Sequence, residues 1–157
     1  MRLSPFRRLI PVAALCLLLS ACGSSGPKPF DPASAAQALQ DSGAFSEPLE
    51  PIDQDLACGT LYDIDAETVT GCAVYTTPTA GAEEIAVFAL TDETAANAAM
   101  EALRQRLTDQ TDALKSYQPD EVNKLDNAIL EQRGASVLLA VATDADAARS
   151  AVDALGK

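Results

Sequence analysis

"EIAVFALTDETAANAAMEALRQ" (84–105) and "SVLLAVATDADAARSAVDALGK" (136–157) align without a gap at an offset of 52 residues. Thr91 meets Thr143, Asp92 meets Asp144, Ala95 meets Ala147 and Leu103 meets Leu155. Each copy begins with an apolar run of strand length, passes a Thr-Asp pair suited to capping a helix, and continues as an alanine-rich segment with helical spacing. Both runs, "IAVFAL" and "VLLAVA", are apolar on both alternating faces, as central strands covered on both sides require.

Upstream of each run lies a partner. "TGCAVYTT" (70–77) precedes the first across the turn-rich "PTAGA". "AILEQ" precedes the second across Arg133-Gly134. The reading is therefore a ββα unit used twice, with strands 70–76 and 127–132 at the edges and both helices on one face. In the first helix Ala96, Met100, Leu103, Leu107 and Leu114 share a stripe. Asp31-Pro32 predicts an earlier capped helix closed near Gly43, and a second short helix is expected over 53–61. "SYQPDEVNKLDN" reads as a connection with one helical turn after Pro119. The expected fold is α+β, with a four-stranded antiparallel-rich sheet preceded by two short helices.

The N-terminus carries a different signal. Arg2, Arg7 and Arg8 precede an apolar run from Leu9 to Leu19, which is too short to span a bilayer but suits a secretory signal. Leu19-Ser20-Ala21-Cys22 resembles the lipobox of bacterial lipoproteins. That resemblance implies cleavage before Cys22 and a diacylglyceryl group on its sulfur, with the mature protein held at the outer face of the cell membrane. The expected organisation is a signal peptide over 1–21, a lipidated N-terminus and flexible tether over 22–30, and one domain over 31–157.

The 157-residue chain has 11 basic and 23 acidic residues. Removing the three signal-peptide arginines leaves 8 − 23 = −15. The charge is uneven: residues 22–103 hold 14 acidic side chains against Lys28 alone, and 104–157 hold 9 against 7 basic. Such a surface argues against nucleic acid as a partner and favours solubility.

Candidate chemistry is sparse. No histidine is present, so a general base would have to be a carboxylate, and two cysteines alone do not complete a zinc site. With Cys16 removed and Cys22 lipidated, Cys58 and Cys72 remain. They could form a disulfide or stay as buried thiols. Asp63, Asp65 and Glu67 alternate as in half a calcium loop, but Thr68 stands where that loop needs glycine and Val74 where it needs glutamate. Arg104, Arg106, Gln110 and Tyr117 could form a polar pocket at the end of the long helix. No phosphate loop, nucleophile elbow or metal-ligand helix is found, and neither an enzymatic activity nor a cofactor is expected.

Glu84 to Val87, Arg106, Gln110, Tyr117, Pro119, Lys124, Leu125, Asn127 and Gly134 together carry a second resemblance. Their pattern resembles an uncharacterised family of small lipoproteins from Firmicutes, especially Clostridia, a domain of unknown function. Ala135-Ser136 departs from it, since an aromatic residue is usual there. The resemblance implies no activity. The expected role is a lipid-anchored accessory or interaction module, bound to the membrane through its lipid and to an unidentified protein. The alternative is a small-ligand or ion-binding lipoprotein.

Overall fold

The computed structural model describes residues 26–156. Helix α1 (Pro32–Asp41) is followed by strand β1 (Glu50–Ile52), a short α2 (Gln54–Leu56), a wide π turn (57–62) and a 3₁₀ turn (66–68). Strands β2 (Val69–Thr76) and β3 (Glu84–Leu90) lead into α3 (Glu93–Leu114) and α4 (Pro119–Asp126). Strands β4 (Ile129–Arg133) and β5 (Ser136–Val141) then lead into α5 (Ala145–Ala154). The five strands form one sheet, β1-β2-β3-β5-β4, with every neighbouring pair antiparallel.

The two strands read as central are central. Ile85 to Phe88 and Val137 to Val141 are all buried, with side chains alternating into two separate cores. Ala86, Phe88, Val137, Leu139 and Val141 pack under α3 and the π turn. Ile85, Val87, Leu138 and Ala140 pack under α1 and α5.

The sheet has a fifth strand, so β2 is not an edge. Its outer neighbour β1 pairs Pro51 with Tyr75. A proline cannot donate to a ladder and belongs on an edge; three residues with no alternation leave no readable strand signal. The turn expected after Pro119 extends to an eight-residue helix, α4.

Both ββα sequences are present, β2-β3-α3 and β4-β5-α5, and their starts are equivalent. Asp92 accepts from the Ala95 N–H and Asp144 from the Ala147 N–H, each at 2.9 Å, a cap worth about 1 kcal/mol. Their packing corrects the expectation of one shared face: α3 covers the first core and α5 the second. The reason is strand parity. At the 52-residue offset Leu90 corresponds to Ala142, yet Leu90 faces the first core and Ala142 the second. The chain therefore leaves the two strands from opposite sides. Because β3 and β5 are antiparallel neighbours, a rotation relating them would keep both helices on one side. The units share order but have opposite hand.

Candidate functional site

Glu83 and Glu84 stand next to each other at the entrance to β3, 1% and 0% exposed. Residue alternation sends their side chains to opposite faces of the sheet. A buried carboxylate is tolerated only when donors replace its water. The fold supplies two different sets.

Glu84 is met from the α3 side. The Tyr62 hydroxyl donates to its Oε1 at 2.8 Å. Arg106 donates to its Oε2 from Nη2 at 2.9 Å and Nε at 3.3 Å, and Gln110 Nε2 does so at 3.3 Å. Arg106 and Gln110 are four residues apart on α3 and so share a face. Tyr62 comes from the π turn, its ring edge-on to Phe88 at 5.4 Å and 5.9 Å from the Arg106 guanidinium. Burial, then the neighbouring Glu84 charge, pushes the Tyr62 phenol well above its ordinary pKa. Burial alone would favour a neutral Arg106, but the Glu84 carboxylate outweighs it and raises the guanidinium. Gln110 Oε1 is the one buried side-chain polar atom without a partner among the described residues.

Glu83 is met by backbone and hydroxyls. The N–H groups of Ser46 and Glu47 donate at 3.1 and 2.9 Å, and the Ser46 hydroxyl at 2.8 Å. The Thr143 hydroxyl also donates to it. Lys124 lies 3.4 Å away and also pairs with Glu121 at 2.9 Å. Burial would raise the Glu83 pKa, but the donors from Thr143, Glu47 and Ser46 outweigh it and lower it to about 2. Glu121 in turn accepts from the Ala82 N–H at 2.8 Å. The pair thus ties the 44–47 loop, the π turn, α3, α4 and the end of β5 to one end of the sheet. Chemically, both carboxylates act as acceptors whose oxygens are taken up by internal donors.

Of the four residues expected in a polar pocket, Arg106 and Gln110 meet on Glu84. Arg104 instead pairs with Glu101 on the surface, and Tyr117 is 67% exposed. The four therefore do not form one pocket, because a half-turn of helix separates Arg104 from the Arg106 face and Tyr117 lies beyond the helix end. Sequence reasoning missed Tyr62, Glu83 and Thr143 as partners. The available signal was two adjacent glutamates at the mouth of an otherwise apolar strand.

Cys58 is buried in the π turn and Cys72 half-buried on β2; both are free thiols against the first core. The Cys72 thiol points at Gln54 Oε1, 3.7 Å away. Burial raises both thiol pKa values, with Asp55 adding to Cys58 and Cys58 adding to Cys72. Cys22 lies outside the described residues. Asp65 accepts from the Glu67 N–H and caps the 3₁₀ turn. Among the described residues no group of three Cys, Asp or Glu side chains is placed to hold a metal ion, and no helix is long and apolar enough to cross a membrane.

No curated protein and no solved structure matches the chain. A family profile does, over residues 43–142. That span takes in all five strands, α3, α4 and both carboxylates with all their partners except Thr143; α1 and α5, which cover the second core, fall outside it. With most of its length matched, the chain belongs to the family described as domain of unknown function DUF4358.

Proposed function

We propose that the protein is a lipid-anchored, extracytoplasmic accessory or interaction module at the outer face of a bacterial cell membrane, of the Firmicutes lipoprotein type. The observation that carries this reading is the ordered N-terminal signal: three arginines, the 9–19 apolar run, "LSAC" and then the polar "GSSG". Two acyl chains hold a protein stably where one holds it marginally. The internal use of Glu83 and Glu84 supports a role in presenting a rigid surface. Cys22→Ala should move the protein from the membrane to the soluble fraction. The unaltered protein should show a lipid mass increment on Cys22; a membrane-free, unmodified protein defeats the reading.

A second reading, small-ligand binding, draws on a cavity of about 340 Å³ lined by Ile64, Ala95 and Ala99 together with Asp63, Asp65 and Asp92. A thermal-shift screen of small cationic compounds, compared between the wild type and Asp63→Asn, tests it.

A further inference from the structure

Resting on the proposed anchor, we infer that the β4–β5 turn end of the sheet faces the bilayer, held off anionic lipid by its own carboxylates, and that the Glu83–Glu84 end points away. The chain enters the fold at one defined point. The Phe30 N–H donates to Ser136 Oγ at 2.8 Å, and the Phe30 ring lies 4.2 Å below the Arg133 guanidinium. Arg133 in turn donates to the carbonyls of Leu155 at 2.6 Å and Val152 at 3.1 Å, closing the end of α5. Phe30 is 4% exposed and Arg133 6%. Between Cys22 and this clamp lies at most about 28 Å of fully extended chain.

The opposite end of the sheet lies one strand away. The Leu90 N–H donates to the Ala135 carbonyl beside the clamp, while Glu84 pairs with Val141 at the far end. The six residue steps from Glu84 to Leu90 in β3 separate these ends by about 20 Å. Position 154 closes α5 next to Arg133; position 80 lies in the exposed loop before Glu83.

The anchored end is acidic. Asp31, Asp63, Asp65, Asp92 and Glu93 are exposed there, and the Thr91 N–H to Thr68 carbonyl bond, 2.9 Å, holds the 63–68 segment at the end of β3. Among the described residues, Lys28 on the leash is an exposed cation near this end. Facing anionic headgroups, these carboxylates repel the surface and stretch the leash, and salt screens that repulsion.

The chain contains no tryptophan, so single reporters can be placed in the full-length lipidated protein as Ala154→Trp or Ala80→Trp. Energy transfer to dansyl-phosphatidylethanolamine is then read in phosphatidylcholine vesicles with and without phosphatidylglycerol. Transfer from the Ala154→Trp protein should exceed that from Ala80→Trp by about twofold, given the strand-length separation. With phosphatidylglycerol present, it should rise further as salt passes about 0.1 M. Equal or reversed transfer from the two positions overturns the orientation, with the anchor intact. Salt-insensitive transfer in the anionic vesicles overturns the stand-off. An intact mass without lipid on Cys22 is a different failure: it defeats the anchor and the inference with it.

Discussion

Tyr62 donates its hydroxyl hydrogen to the fully buried Glu84 at 2.8 Å, and that bond joins the π turn to the central strand. The other Glu84 oxygen belongs to Arg106 and Gln110. The two halves of the network should therefore fail differently. Tyr62→Phe removes a neutral donor and leaves one carboxylate oxygen short, at about 1–3 kcal/mol. Arg106→Ala removes the countercharge and strands a buried anion, at about 3 kcal/mol or more. Urea unfolding of both variants and of Glu84→Gln/Arg106→Ala measures this. The double variant should recover part of the Arg106→Ala loss, because a neutral amide no longer needs the guanidinium; no recovery would count against a charge-pair account.

Acid should act through Glu83. Its pKa is about 2 against an ordinary 4.5, because Thr143, Glu47 and Ser46 donate to the charged form. A depressed carboxylate pKa stabilises the fold fully above the unfolded value. That contribution is lost as pH falls from about 4.5 to 2. Wild type should thus exceed Glu83→Gln in stability at pH 6, and the gap should narrow steadily towards pH 2 in chemical denaturation. A gap independent of pH would mean that the loss in the Glu83→Gln variant reflects shape rather than charge.

Oxidation should join Cys58 to Cys72. Both thiols sit against one apolar cluster; burial raises both thiol pKa values, which slows their attack on an oxidant without barring the bridge. A disulfide-bearing small molecule such as oxidised glutathione would accept the two electrons, and the two thiol protons would leave to solvent. The bridge closes a loop of 15 residues from Cys58 to Cys72 and should add about 3 kcal/mol in the chain-entropy account. Intact mass should fall by two hydrogens, with loss of both titratable thiols and a higher melting temperature. Two thiols that remain titratable after oxidant treatment in native buffer rule the bridge out.

The legible parts of this fold are those governed by neighbours in the chain. "IAVFAL" and "VLLAVA" declare doubly covered strands because their composition is incompatible with a wet face. Asp31, Asp92 and Asp144 declare helix starts because a cap is satisfied three residues away. Arg106 and Gln110 could be placed on one helix face by spacing alone.

What waited for the tertiary structure is what depends on distant partners. Nothing within "LEPIDQ" marks Pro51 as a strand residue until Tyr75 lies beside it. The 52-residue echo predicts two equivalent helix starts but not which face each helix takes, since one residue of strand parity at Leu90 or Ala142 reverses the side. Two adjacent glutamates look like solvent-exposed charge until Tyr62, Arg106, Ser46 and Thr143 arrive from 22, 22, 37 and 60 residues away. A carboxylate can be buried only where donors converge in space, and convergence across such separations is a property of the folded chain, not of any segment within it.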